Sequence, residues 1–393
     1  MRLQSSTPTF GRGIAAGAAA VALALGLGAC SSSSSSGASS QASNNGSAPA
    51  ASNGGSTPTG GGSGTTDITL VAQPNGASLP LVVADKEGFF KAAGLNVTIK
   101  YYATGPSSLA DGAKGTWQAG WLGAPPALTG MNQFGLVPLG LMIQEDSNHI
   151  MFMSKKVLQG STPAQVLKSH PVATVQNSLG EQVMDACAQH FGVDPNQLKL
   201  VNLDPGGVVQ ALQAGRVQVA DAWAPPDYPL INDPNYEPVC TGKIANTAVV
   251  DPFVVTPSFA KDNPDAAARY AAAVYAADEF INNNNTAAVD DMMGLYKANG
   301  ITSGRDVAAY EVKIRQWYTL QQAVDGIQSG TTAKALKASA QFFVDKGVYD
   351  QAPPIDNLLQ QGLAILKKAQ SINLPMPSGA GSGSGSPSAT TSS

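Results

Sequence analysis

The chain has 393 residues, of which 43% are hydrophobic and 13% are charged, and its formal net charge is −4 with a pI of about 5.4. This balance excludes the basic stripe by which nucleic-acid-binding proteins hold phosphate, so we expect no nucleic-acid partner. The length exceeds what one hydrophobic core usually serves and favours two lobes.

The first 29 residues have the order of a secretory signal peptide. Arg2 and Arg12 precede an uncharged run, 13–29, which is short for a membrane span and ends in small residues. The segment LGAC that ends at Cys30 resembles the lipobox of bacterial lipoproteins. This resemblance implies an exported protein that is lipid-anchored through Cys30 to the outer face of the bacterial cytoplasmic membrane.

Two low-complexity segments flank the part of the chain that can fold. Residues 30–66 and 375–393 consist mostly of Ser, Gly, Ala, Thr, Asn and Pro. Such composition offers too little apolar surface for a core. We therefore predict a flexible linker after Cys30 and a disordered tail at the end of the chain.

Between these segments, alternating apolar residues and Gly, Pro and Ser signals predict repeated strand and helix units. A strand at 67–73, a helix at 79–93 and a strand at 95–102 open the series, and a crossover of this length implies parallel pairing. A capping box at Ser178 and Glu181 predicts a helix that runs to about Phe191. The later part is predicted to be helical, at 264–282, 286–298, 303–320, 331–346 and 355–370.

One phrase occurs twice in the chain, as WQAGWLGAPP from Trp117 and as VQVADAWAPP from Val217. Each copy predicts a strand that ends at a tryptophan and leads through Ala-Pro-Pro into a helix, because proline suits the first helical turn. Ligands of open α/β sheets bind at the carboxyl ends of strands. The two copies therefore predict two lips of one cleft, although packing of both tryptophans between layers is the alternative.

The segments that begin VVADKEGFF, GWLGAPPALTG, VQALQAGRVQVADAWAPPDY and FVVTPSFAKDNPDAAARY lie between residues 82 and 270. In this order and spacing they resemble the substrate-binding proteins of ABC importers for nitrate, sulfonates and taurine, and the resemblance covers about 67–366. It implies an α/β, two-lobed type II periplasmic-binding-protein fold with an interlobe ligand cleft and C-terminal helices. It also implies a small-molecule ligand, an ABC transporter permease and its ATPase as partners, no cofactor, and a monomer.

The same resemblance implies where the lobes meet and which residues line the cleft. Lobe 1 takes 67–158, lobe 2 takes 159–248, and 249–374 return to lobe 1, with hinges near 154–162 and 249–258. The implied ligand-binding residues are Gln73, Asn75, Gly76, Trp121, Leu122, Gly123, Ala124, Gln176, Asn177, Ser178, Asp221, Ala222 and Trp223. The family commonly reads Trp-x-x-Asp-Pro-Tyr after the last of these strands, whereas this chain reads WAPPDY from Trp223.

Two kinds of ligand stay open at this point. The helix starts near Ser107, Pro126 and Ser178 could hold an anion such as nitrate or a sulfonate without any cation. A second set could instead hold a cation or zwitterion, since an ammonium group is attracted to an indole face and to a carboxylate. That set contains Trp121, Trp223, Tyr228, Asp221 and Asp227.

Other classes of function have weaker support in the sequence. Cys187 and Cys240 form either a disulfide or two separate thiols, and neither belongs to the cysteine cluster of thiamine-precursor enzymes with this fold. The three histidines have no partner at metal spacing, and no hydrolase or nucleotide motif occurs, so we expect neither a metal site nor an enzyme. A thiamine-precursor binding or biosynthesis protein of the same fold and a surface adhesion protein on the Ser-rich stalk are the remaining alternatives.

Overall fold

The computed structural model describes residues 65–377. The predicted signal peptide, Cys30 and most of the predicted linker and tail lie outside the described residues. Within 65–377, no helix is both long and apolar enough to cross a membrane.

The described strands form two separate sheets. They are β1 (Thr66–Ala72), β2 (Leu95–Tyr101), β3 (Ala119–Trp121), β4 (Val137–Gln144), β5 (Ile150–Ser154), β6 (Pro171–Thr174), β7 (Lys199–Asn202), β8 (Val219–Ala222), β9 (Tyr236–Thr241), β10 (Val250–Val255) and β11 (Gln316–Trp317). The first sheet has the strand order β11-β4-β10-β3-β1-β2, and the second has the order β7-β6-β8-β5-β9.

The described helices cover both sheets and make up most of residues 257–377. They are α1 (Leu79–Lys86), α2 (Phe89–Ala92), α3 (Gly105–Gly112), α4 (Ala124–Phe134), α5 (Lys155–Leu158), α6 (Pro163–Ser169), α7 (Leu179–His190), α8 (Pro205–Gln213), α9 (Tyr228–Ile231), α10 (Pro257–Asp262), α11 (Pro264–Asn283), α12 (Asn285–Ala298), α13 (Arg305–Ile314), α14 (Leu320–Gln328), α15 (Thr331–Asp345) and α16 (Ile355–Ala369).

Strand pairing makes both sheets mixed. In the first sheet, β1 is parallel to β2 and β3, as the first strand-helix-strand unit predicts, and β10 is antiparallel to β3 and β4. In the second sheet, β6 is parallel to β7 and β8, whereas β5 is antiparallel to β8 and β9. The carboxyl ends of the parallel strands in each sheet are therefore the natural place for a ligand.

The chain changes sheet twice, and the first change comes earlier than the sequence suggests. It leaves the first sheet after Gln144 and enters the second at Ile150, so the first crossing is 145–149 instead of 154–162. The reason is that β5 is buried between β8 and β9 and belongs to the second sheet. The return crossing is 242–249. We call 150–241 the second unit and the remainder of 65–377 the first unit.

Local structure departs from the predicted helices at two points. The predicted helix at 79–93 is interrupted at Gly88, whose φ of 80° is left-handed and closes α1. The predicted helix at 303–320 ends at Ile314, and the following residues add β11 to the edge of the first sheet. Thr319 then caps α14 in a capping box with Gln322.

The two cysteines of the described chain are joined in the second unit. Cys187 of α7 and Cys240 of β9 have an S–S distance of 2.05 Å and a Cα–Cα distance of 6.0 Å. Both side chains are fully buried. Of the two alternatives that the sequence leaves open, the structure therefore has the disulfide, which ties α7 to the edge strand of its sheet.

Candidate functional site

A cavity of about 420 Å³ lies where the first and second units face each other. The first unit contributes the loop after β1, the start of α3 and the end of β3, and the second contributes the loops after β6, β7 and β8. Residues of the first crossing and of β10 close it. The position at strand ends is the one expected of a ligand site in open α/β sheets.

Eight of the predicted ligand-binding residues line this cavity. They are Gln73, Asn75, Trp121, Gly123, Gln176, Asn177, Ser178 and Trp223. The structure thus brings together side chains that are up to 150 residues apart in sequence, from Gln73 to Trp223 (223 − 73 = 150).

The other predicted residues are not at the cavity wall. Leu122, Ala124 and Ala222 are buried in the layers. Gly76 faces Glu311, since a Cβ placed on it would come 2.0 Å from Glu311 Oε2. Asp221 is fully buried beneath the first turn of α7, where a Cβ on Gly180 would come 2.2 Å from its Oδ2.

Trp121 is held in a fixed orientation at the end of β3. Its indole N–H donates to Ser78 Oγ at 2.9 Å, and the Ser78 hydroxyl donates to the carbonyl of Gln73 at 2.5 Å. Only 2% of Trp121 is exposed. Trp121 therefore packs in the core, as the alternative interpretation of the repeated phrase holds, and also lines the cavity.

The second copy of the phrase does not lead directly into a helix. After Trp223 the chain forms a turn in which the Asp227 N–H donates to the carbonyl of Trp223 at 3.3 Å, and α9 begins only at Tyr228. Asp227 is 1% exposed and does not line the cavity. Tyr228 points to the first unit and shares a hydrogen bond of 2.9 Å with the Tyr296 hydroxyl.

His149, in the first crossing, is a cavity residue that sequence reasoning did not find. Its ring lies 4.9 Å from that of Trp223 between centroids, with 39° between the planes. Burial, together with the positive charge of Arg315, lowers the pKa of His149 to about 3. The imidazole is therefore neutral at physiological pH.

Glu145 and Asp251 form an acidic wall that the sequence also did not reveal. Both line the cavity, at 4% and 1% exposure. Glu145 directly follows β4, and Asp251 lies on the neighbouring strand β10. Burial and the nearby Glu145 raise the pKa of Asp251 well above its usual range, and Arg315 opposes this shift. Oδ1 of Asp251 has no hydrogen-bond partner within the described residues.

Arg315 lies beside this wall, but its guanidinium is already paired with two carboxylates of the chain. Its Nε donates to Glu145 at 2.7 Å and its Nη1 donates to Glu311 at 2.8 Å. The guanidinium is 1% exposed. Tyr296 donates its hydroxyl proton to the other oxygen of Glu311, so that the chain of contacts continues to Tyr228 of the second unit.

The start of α7 connects the cavity to the first unit. Ser178 Oγ accepts the N–H of Glu181 at 3.4 Å, as the predicted capping box requires, but the Glu181 carboxylate accepts the N–H of Asn177 at 2.7 Å instead of that of Ser178. The other oxygen of Glu181 lies 3.4 Å from Lys346, at the end of α15. A cavity residue and a first-unit lysine thus share one carboxylate.

Comparison with known proteins places this geometry in a family. The chain is 25% identical over 293 residues to the taurine-binding periplasmic protein of Escherichia coli, a match that covers 72% of this chain and 87% of that protein. It is 21% identical over 295 residues to a putative ABC transporter periplasmic binding protein of Brachyspira hyodysenteriae, which covers 72% and 84% of the two chains.

Solved structures share the fold at low identity. The periplasmic nitrate-binding protein of Synechocystis PCC 6803 superposes with a TM-score of 0.64 at 12% identity, over 80% of this chain and 91% of that one. The periplasmic aliphatic sulphonate-binding protein of Escherichia coli superposes with a TM-score of 0.59 at 16% identity, over 76% and 98%. The fold is thus the predicted two-lobed type II periplasmic-binding fold. The profile of the family described as NMT1/THI5 like matches residues 75–288, more than half of the sequence, and the chain belongs to that family.

Proposed function

We propose that this protein is the extracytoplasmic substrate-binding component of an ABC importer, which captures a small organic molecule between its two units and delivers it to a membrane permease. The observation that carries the proposal is the cavity itself. Strand ends of both sheets line it, and the two crossings that bound it, 145–149 and 242–249, are the only covalent links between the units in residues 65–377. Such links are the usual hinges of two-lobed binding proteins.

The size of the cavity favours an organic molecule over a single inorganic ion. Its volume of about 420 Å³ lies within the range of roughly 300–1,000 Å³ that is usual for small-molecule sites. Nitrate would leave most of this space empty. Taurine and sulphonates, which the names of two relatives mention, are organic molecules of the class that would fill more of it.

The chemistry of the wall supports binding instead of catalysis. Cys187 and Cys240 are joined to each other and do not line the cavity. His149 has no serine or cysteine among its hydrogen-bond partners in the described chain, and its Nδ1 is unpaired. No group of three His, Cys, Asp or Glu side chains within 65–377 comes close enough to hold a metal ion. We therefore include in the proposal that the protein is not an enzyme.

The proposal extends to the setting of the protein. Lipid attached to Cys30 would hold the chain at the outer face of the cytoplasmic membrane, and 30–66 would serve as its tether. Its partners would be the permease and the permease's ATPase, and it would act as a monomer. The relatives whose names call them periplasmic support export.

Native mass spectrometry tests this function even while the ligand is unidentified. The chain from Thr65 onward is mixed with the low-molecular-weight fraction of yeast extract, desalted and sprayed under non-denaturing conditions. We expect one additional small mass on the protein, released unchanged after prolonged incubation. No bound mass would contradict the proposal, and a chemically altered mass would instead indicate an enzyme.

A variant pair locates the bound molecule. Trp223→Ala should lose the additional mass, because the indole lines the cavity. Lys261→Met is the matched control, since Lys261 lies on α10, away from the cavity wall, and should leave the mass in place. Loss of the mass in both variants would show that it does not reside in this cavity.

A further inference from the structure

The cavity wall carries acidic groups and no basic ones. Glu145, Asp204 and Asp251 line it, whereas no Lys or Arg of residues 65–377 does. His149 also lines the wall, but its imidazole is neutral because its pKa is lowered to about 3. The ionisable side chains that line the wall therefore offer an anionic ligand no positive charge.

Helix N-termini could offset this deficit, but at two of those at the cavity a carboxylate of the chain already accepts a backbone N–H. At α8, the Asp204 carboxylate accepts the N–H of Gly207 at 2.7 Å. At α7, the Glu181 carboxylate accepts the N–H of Asn177 at 2.7 Å. The positive ends of both helices therefore already face a carboxylate of the chain.

The two remaining helix starts have few free donors. Pro125 and Pro126 follow Ala124 at the start of α4 and have no N–H to offer, and the backbone of Ala124 is hydrogen-bonded toward Asp251. At α3, Thr104 Oγ1 accepts the N–H of Ser107 at 3.4 Å, and Pro106 lacks a donor. The helix starts near Ser107 and Pro126 therefore offer an anion fewer free N–H groups than a helix start without proline.

Two buried polar atoms at the wall have no hydrogen-bond partner among residues 65–377, and a ligand could supply one. Asp251 Oδ1 and His149 Nδ1 have no hydrogen-bond partner within the described chain, and the two residues are 1% and 4% exposed. A buried acceptor left without a donor is costly. A ligand with N–H groups, or with a positive charge, would satisfy the Asp251 carboxyl group.

The aromatic residues of the wall suit the same kind of ligand. The rings of Trp121, Trp223 and His149 all line the cavity. Indole faces attract cations through their quadrupole, and Trp is the strongest of the side chains that do so. Arg315 does not compete for these faces, because Glu145 and Glu311 already hold its guanidinium.

We propose that the ligand of this cavity is an organic cation, with a positively charged nitrogen that binds at the Asp251 carboxyl group in the cavity that the indoles of Trp121 and Trp223 line. This inference rests on the proposed function and adds the charge class of the transported molecule. It separates this chain from a carrier of bare anions or sulphonates. Asp204 also lines the wall, whereas the charge of Glu145 is already paired with Arg315.

Ion-exchange fractionation of the same yeast extract tests the charge class without a named ligand. At pH 7 the low-molecular-weight extract is separated into a fraction retained by a strong cation exchanger, a fraction retained by an anion exchanger, and the flow-through of both. The melting temperature of the chain from Thr65 onward is then measured with each fraction. We expect the cation-exchange eluate to raise it in a saturable manner.

Each other result has a distinct meaning. A rise with the anion-exchange eluate or with the flow-through, which holds neutral molecules and zwitterions such as taurine, overturns the cation proposal but leaves the binding function intact. No rise with the unfractionated extract contradicts the binding function itself. The two proposals can therefore fail separately.

Asp251→Asn is the decisive variant. The change keeps the shape of the side chain but leaves a group that cannot ionise beside a bound cation, so the apparent affinity for the cation-exchange eluate should fall at least about tenfold. Glu279→Gln is the matched control, since Glu279 is exposed on α11 and should leave the affinity unchanged. Unchanged affinity in Asp251→Asn, with a melting temperature that shows it folded, would overturn the assignment of Asp251.

Discussion

Lys346 and Asp185 form an ion pair of 2.6 Å that joins the two units beside the cavity. Lys346 follows α15 of the first unit, and Asp185 lies on α7 of the second, 4% exposed. Glu181, one turn earlier on α7, lies 3.4 Å from the same ammonium group. Because Glu181 also binds the N–H of Asn177 at the cavity, this pair connects the ligand site to the contact between the units.

Lys346→Met should destabilise the protein by about 1–3 kcal/mol at pH 7, because two buried carboxylates lose their partner. Burial already raises the pKa of Asp185 while Lys346 lowers it, so the variant should raise that pKa further. A carboxyl group with a raised pKa in the folded state lowers stability above its unfolded pKa. The cost should therefore shrink as the pH falls toward about 4, which urea unfolding at several pH values would measure.

Lys337→Met provides the control for this change. Lys337 pairs with Asp356 at 2.6 Å, but both side chains are more than half exposed, at 52% and 65%. Its loss should change the free energy of unfolding by less than about 0.5 kcal/mol. Equal effects of the two substitutions would refute a special role for the contact between the units.

Asp221→Asn should stabilise the protein in a pH-dependent manner. Burial, with the charge of Asp227 added, raises the pKa of Asp221 well above its usual range, and neither carboxyl oxygen has a hydrogen-bond partner in the described chain. The free-energy cost of keeping Asp221 in the folded state begins above its unfolded pKa of about 4 and grows as the pH rises. We expect no gain at pH 3 and a melting temperature at least about 2 °C higher at pH 7.

The exposed Asp262→Asn serves as the comparison for Asp221→Asn, since it alters charge without altering a buried group. It should leave the melting temperature nearly unchanged at both pH values. A fall in the stability of Asp221→Asn at pH 7 would mean that the ionised carboxylate has a favourable partner in the folded protein.

The Cys187–Cys240 disulfide should contribute about 4 kcal/mol by the chain-entropy relation for a sequence separation of 53. Replacement of both cysteines by alanine should therefore lower the urea midpoint markedly. Reductant should move the midpoint of the wild-type protein toward that of the double variant, and should not affect the variant. Alkylation of two thiols in the unfolded wild-type protein without reductant would contradict the bond.

Arg315→Met should cost about 3–5 kcal/mol, because it leaves Glu145 and Glu311 buried without their counter-ion. Arg305→Met is the control, since Arg305 is 53% exposed and pairs with the exposed Asp290 on the protein surface. Its loss should leave the midpoint of unfolding nearly unchanged, because solvent screens an exposed pair. Guanidinium chloride unfolding of both variants measures the difference, and a small effect of Arg315→Met would show that the buried carboxyl groups find other partners.

Local signals in the sequence were sufficient for most strands and helices of the fold. The alternation in β2 and the Ser178 cap of α7 act over a few residues, so they can be seen without the fold. β11 could not be predicted, since its two residues become a strand only by pairing with β4, more than 170 residues earlier. The sequence predicts β5 as a strand, but the sheet to which it belongs depends on its pairing with β8 and β9.

Part of the cavity could also be predicted from local signals in the sequence. Gln73 and Asn177 follow strands, and Trp121 ends one, at points that the sequence marks. Glu145 and Asp251 lie 106 residues apart (251 − 145 = 106) and meet only because β4 and β10 are neighbours in the sheet. Asp221 follows the pattern of a site residue, yet the first turn of α7 covers it through Gly180, which is a matter of tertiary packing.

Hydrogen–deuterium exchange of the chain from Thr65 onward, with and without the yeast-extract fraction that stabilises it, tests most directly that the two units capture one ligand between them. We expect ligand-dependent protection in both units together, at 73–78 and 119–124 of the first and at 176–182 and 219–224 of the second. Protection confined to one unit, or no change at these segments while the melting temperature rises, would contradict capture between the two sheets.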